Sequence, residues 1–167
     1  MTAERERLFR LIPEARAFEW VDDLTPVGWL AHVGSFGQAI AFAELFWPEF
    51  VEHEGCVLLA RRFDPVSFRQ WIEATGGDRR AVEAVLNHTH ILDLFVHREP
   101  EPTREQVVHL GRVLRAMWGA KLRTEFPGRA LVVSFSDEEL PDLLDYEITV
   151  FQVPAETDSG AAPAPAA

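Results

Sequence analysis

One cysteine, one lysine and one tyrosine are all that 167 residues contain of those types. The lone Cys56 excludes an internal disulfide and a disulfide-stapled secreted scaffold, so a cytoplasmic location is the expectation. No run approaches the roughly 20 apolar residues of a membrane span. The opening MTAERERLFRLI interleaves charges with apolar residues and has no signal-peptide core. A bacterial, membrane-free, single-domain protein is the resulting expectation.

Two long stretches lack positive charge. Residues 17–60 carry seven acids (Glu19, Asp22, Asp23, Glu44, Glu49, Glu52, Glu54) and no Lys or Arg. Residues 130–167 carry eight acids and again no base. Residues 1–16 hold +1 and residues 61–129 hold +3, which brings the chain to −11. A nucleic-acid binder shows a basic stripe and a high pI, whereas the pI here is about 4.9. No direct nucleic-acid binding is expected; the field suits a protein partner with a basic surface. Fifteen of the sixteen cations are Arg, which pairs carboxylates bidentately. The +3 block is therefore a candidate for internal docking on an acidic block.

Catalytic motifs are scarce too. Val33-Gly34-Ser35-Phe36-Gly37 resembles a nucleophile elbow, but Val33 stands where G-x-S-x-G needs glycine. Ser35 reads instead as a cap for the next helix. Cys56, among Val57, Leu58 and Leu59, reads as a buried and inert thiol. His88, His90, Asp93 and His97 cluster in sequence and supply the metal-dependent alternative. No H-E-x-x-H spacing supports it. If residues 79–97 formed one helix, Glu83, His90 and His97 would share its solvated face, opposite Val82, Val85, Leu86 and Leu92. No cofactor is expected.

What the chain does contain is apolar mass: it is 47% hydrophobic, enough for a self-sufficient core at this length. Its punctuation predicts a mainly helical α+β fold. Helices are expected at 3–12 and 13–19, with Pro13 between them. Thr25-Pro26 starts another that ends near Gly34, and Gly37 to Trp47 forms the next. Asp64-Pro65 opens a helix closed by Gly76-Gly77, and Asp78 caps its successor, with a break near residues 87–90. Thr103-Arg104-Glu105-Gln106 is a capping box opening the clearest helix, to Glu125. Short strands are expected at 56–60, 131–136 and 146–153. The last two form a C-terminal antiparallel hairpin across the acidic loop 137–145, and the Cys56 strand joins it in a sheet of about three strands. Residues 1–153 read as one domain and residues 154–167, PAETDSGAAPAPAA, as a disordered Ala/Pro-rich tail.

Eight aromatic residues (Phe18, Trp20, Trp29, Phe36, Phe42, Phe46, Trp47, Phe50) fall inside the base-free block 17–60. Exposed rings amid carboxylates form an anchor with a polar rim, as interface hot spots do. The expectation is a non-enzymatic, acidic interaction domain, in the form of an immunity-type inhibitor or an accessory subunit. Its expected partner-binding residues are Trp20, Asp22, Asp23, Trp47, Glu49 and Glu52, with Asp137, Glu138, Glu139 and Asp142 from the acidic loop. A metal-dependent enzyme built on the histidines, or an aromatic small-molecule pocket, are the alternatives.

Overall fold

The computed structural model describes residues 2–96 and 100–153, so the expected tail and His97 lie outside the described residues. The elements are α1 (Ala3–Leu11), a 3-10 turn (Pro13–Phe18), α2 (Pro26–Val33), α3 (Phe36–Phe46), β1 (Phe50–His53), β2 (Cys56–Leu59), α4 (Pro65–Ala74), α5 (Arg79–Leu86), β3 (Thr89–His90), α6 (Arg104–Glu125), β4 (Leu131–Phe135) and β5 (Glu147–Gln152). This is the expected mainly helical α+β class. The side-chain oxygens of Thr2, Thr25, Ser35, Asp64, Asp78 and Thr103 cap the six helices in turn, each accepting a first-turn N–H. Ser35 and Thr103 form full capping boxes with Gln38 and Gln106. Such caps are typically worth about 1 kcal/mol each.

Two antiparallel sheets form: β1-β2, and β3-β5-β4. This corrects the expected sheet in two ways. The Cys56 strand pairs with β1, a strand the sequence reading left out, and the third strand beside the C-terminal hairpin is Thr89–His90. The β1–β2 turn is Glu54-Gly55, both at positive φ (48° and 82°), the signature of a tight two-residue hairpin. Glutamate is a poor residue for that backbone. Distant arginines brace it: Arg79 Nε donates to the Glu54 carbonyl at 3.0 Å and Arg129 Nη1 to the Gly55 carbonyl at 2.7 Å.

The two sheets lie edge to edge with two side chains of the α5 region between them. Glu83 Oε1 accepts the Val57 N–H at 2.7 Å and Oε2 accepts the Gln152 N–H at 2.6 Å. Asn87 Oδ1 accepts the Leu59 N–H at 2.8 Å, and its Nδ2 donates to the Val57 and Val150 carbonyls at 2.9 Å each. Glu83 and Asn87, four apart, thus satisfy the free edges of β2 and β5 and replace a direct ladder. Both are fully buried. The helical-wheel expectation of a solvated Glu83 is therefore wrong, and Val85, expected inside, is 39% exposed. α5 turns its polar pair inward because the strand edges need acceptors and donors more than they need methyl groups.

α6 packs across the C-terminal sheet over the main core, which includes Trp118, Leu114, Tyr146, Ile148 and Val150. Trp118 is fully buried, meets Phe50 edge-on at 6.2 Å, and donates from Nε1 to the Leu45 carbonyl at 3.0 Å. Gly111 lets Phe135 press onto α6; a Cβ there would lie 2.1 Å from the ring. A second core of Cys56, Leu58, Phe68 and Val82 sits under α4 and α5. A third, Leu8, Phe9, Ala15 and Leu24, belongs to the N-terminal segment.

Candidate functional site

α2 and α3 are the anomaly of the fold. Their sequences, PVGWLAHV and FGQAIAFAELF, are apolar around most of the helix, a pattern normally found in buried helices. Neither contains a buried residue, and every residue from 30 to 44 is exposed. Phe36 is 92% exposed, Val27 76% and Ile40 66%. The pair is held at its two ends. Trp29 packs on the N-terminal core, and Phe18 stacks on His32 at 5.3 Å. At the far end Leu45 and Phe46 pack on the main core beneath the Trp118 hydrogen bond. Between these anchors the helices offer their apolar residues to solvent.

The expected partner-binding residues divide by their surroundings. Trp20 is 72% exposed beside this surface, in ring contact with Phe18 at 6.4 Å. Asp22, Asp23 and Glu49 are exposed nearby, as is Glu44 on α3. Trp47 is 43% exposed, with the Lys121 ammonium 5.7 Å from its ring centroid. Glu52 pairs with Arg129. In the acidic loop, Asp137 takes Arg112 at 3.0 Å and Arg115 at 3.8 Å, and Glu139 takes Arg104 at 2.5 Å. Asp142 caps the short 3-10 turn Leu143–Asp145, accepting from the Leu144 N–H at 2.9 Å. The Glu138 carbonyl accepts the buried Tyr146 hydroxyl at 2.9 Å, while its own side chain stays exposed. The loop therefore docks on the arginines of α6, the internal pairing that the charge blocks suggested. Phe36, Ile40, Val27 and Leu30 were missed as site residues; their signal was an apolar helix pair lacking a polar face.

The histidines separate as well. His88 and His90 come together, not with Asp93 but with Glu147. Asp93 instead lines a cleft of about 820 Å³ with Phe42, Leu45, Arg61, Arg62 and Phe95, at the flank of α3. Arg61 is held below its ordinary value by burial first and by the neighbouring Arg62 charge second. A second cleft of about 620 Å³ lies between α1 and α6, lined by Leu8, Leu11, Ile91, Leu92 and Leu110 among others. Burial is also the largest influence on two buried acids. It pushes the Cys56 thiol up to about 11, and it raises the Glu83 carboxyl against the opposing pull of the Val57 and Gln152 N–H groups. Cys56 is fully buried, which fits an unreactive thiol. Among the described residues no helix is long and apolar enough to cross a membrane. No protein-family model, no curated protein and no solved structure matches the chain.

Proposed function

We propose that the protein is a non-enzymatic interaction domain that docks a protein partner on the α2–α3 surface, as an immunity-type inhibitor or accessory subunit would. The observation that carries this reading is the unbroken exposure of residues 30–44 on an apolar helix pair. Monomeric proteins rarely leave contiguous apolar patches of such extent, and those that exist are commonly binding sites. Phe36 and Ile40 are the apolar anchors; Asp22, Asp23, Glu44 and Glu49 supply an acidic rim. A partner with an apolar groove bordered by Lys and Arg complements both. A symmetric pairing of two copies through this face is disfavoured, because residues 17–60 hold seven acids and no base, and a two-fold contact sets like charges together.

The test compares the wild-type chain with a Phe36→Asp/Ile40→Asp double variant as bait, followed by on-rate measurements on the purified partner. The expected result is a basic partner retained by the wild type and lost by the double variant, with an on-rate that falls as salt rises. Retention unaffected by the double variant, or an on-rate indifferent to ionic strength, would overturn the reading.

A further inference from the structure

The His88, His90 and Glu147 cluster has a geometry that a helix could not provide. His90 lies on β3 and His88 immediately precedes that strand, and the two rings meet with their centroids 4.6 Å apart. In the antiparallel ladder His90 stands directly opposite Glu147, so the third side chain joins the same face. His88 Nε2 lies 3.1 Å from His90 Nε2 and 3.2 Å from Glu147 Oε2, and all three donor atoms fall within 4.8 Å of one another. Metal–ligand bonds of about 2.0–2.2 Å in a tetrahedral arrangement set neighbouring donors about 3.3 Å apart.

Proton placement points the same way. His90 Nδ1 lies 2.7 Å from the Leu144 carbonyl, which accepts its hydrogen. That bond leaves the Nε2 of a neutral His90 as a lone pair aimed at His88. His88 Nε2 carries at most one hydrogen, for which that lone pair and the Glu147 carboxylate compete at 3.1 and 3.2 Å. A cation among the three donors satisfies all of them. A histidine whose other nitrogen donates to a backbone carbonyl is the usual arrangement of a metal ligand, because that bond fixes both tautomer and ring orientation. The His88 and Glu147 side chains are 36% and 48% exposed, so an ion can enter from solvent.

We propose that His88, His90 and Glu147 form a transition-metal site of the Zn²⁺ class, with three protein ligands and a fourth position open to water or to a ligand from outside. Two imidazoles and one carboxylate suit zinc, and three protein ligands leave its tetrahedron incomplete. The bound ion ties β3 to β5 and, through the Leu144 carbonyl, braces the acidic loop.

The experiment uses the untagged full chain, stripped with chelator and dialysed, titrated calorimetrically with Zn²⁺ and by visible absorption with Co²⁺. The site predicts one equivalent of Zn²⁺ per chain, the d–d bands of four-coordinate cobalt, and a higher Tm with zinc. His90→Ala removes one of the three protein ligands and should weaken binding by more than the roughly 10-fold that loss of an outer-shell partner costs. Glu147→Gln, which preserves shape, should do the same with unchanged circular dichroism, so that loss of folding cannot imitate loss of the site. His109→Ala, at an exposed histidine on α6, should bind as the wild type does. No saturable one-to-one binding, or binding that survives both His88→Ala and His90→Ala, overturns the proposal.

Discussion

Asn87→Ala is the most informative perturbation of the fold. The side chain closes three hydrogen bonds between the two sheets: to the Leu59 N–H, the Val57 carbonyl and the Val150 carbonyl. Leu59, Val57 and Val150 are each at most 1% exposed, so water cannot replace the lost partner without opening the core. The orphaned Leu59 N–H costs about 1–3 kcal/mol and the two carbonyls roughly 1 kcal/mol each, about 3–5 kcal/mol in all. Against a typical total of about 5–15 kcal/mol, that is at least about a fifth of the stability. Urea unfolding followed by tryptophan fluorescence reads it directly. With an m-value of about 2 kcal/mol per molar, the midpoint falls by about 1.5–2.5 M. Asn87→Asp discriminates shape from donor chemistry. It keeps the acceptor for Leu59 but turns a carboxylate oxygen toward two carbonyls, so it should lose at least as much. A loss below about 1 kcal/mol for Asn87→Ala at unchanged m-value would refute the bridging role, since ordinary surface changes give about 0.5 kcal/mol.

Glu83, Gly111 and Cys56 test other parts of the buried interior. Burial raises the Glu83 carboxyl in the folded state, so its contribution to stability is full below the unfolded carboxylate range, about pH 4, and is lost as pH rises through the folded value. The stability of the wild type minus that of Glu83→Gln should therefore shrink as pH rises above about 4 in parallel urea titrations; a difference that grows with pH contradicts burial as the dominant influence. Gly111→Ala places a methyl 2.1 Å from the Phe135 ring and should lower stability by about 1–3 kcal/mol in the same assay, whereas a neutral effect would mean that α6 and β4 separate easily. Cys56, fully buried with its thiol pushed up to about 11, should resist a thiol-specific reagent in the native state and react at once in denaturant; rapid native labelling would place it at the surface.

The sequence carried the helices well because their ends are written in local chemistry. Thr25-Pro26, Asp64-Pro65, Asp78 and the Thr103 capping box each mark a start that the structure keeps. The strands of the C-terminal hairpin were legible in their β-branched and aromatic residues. β1 was not, because its turn uses Glu54 in a conformation held by Arg79 and Arg129 from distant parts of the chain. The α5–β3 region was misread for a related reason. A helical period continued past Asn87 sends His88 and His90 to different faces, and the switch to a period of two depends on pairing with Glu147 and Ile148, far away in sequence. The inward turn of Glu83 likewise reflects a tertiary need for acceptors at the edges of β2 and β5. For the interaction surface, the acidic, aromatic character of residues 17–60 was plain. The exposure of α2 and α3 was not, since apolar composition ordinarily means burial.

Site-specific photo-cross-linking from position 40, in cells that make the protein natively, decides whether the α2–α3 surface docks a partner. Ile40 is 66% exposed on α3, and docking through this face should yield one discrete adduct with a different, basic protein. In lysate its yield should fall as ionic strength is raised before irradiation, and it should be absent when the same probe is placed at the exposed Glu73 on α4. An adduct between two copies of the chain, or no adduct at position 40 under conditions where a control interface cross-links, would contradict it.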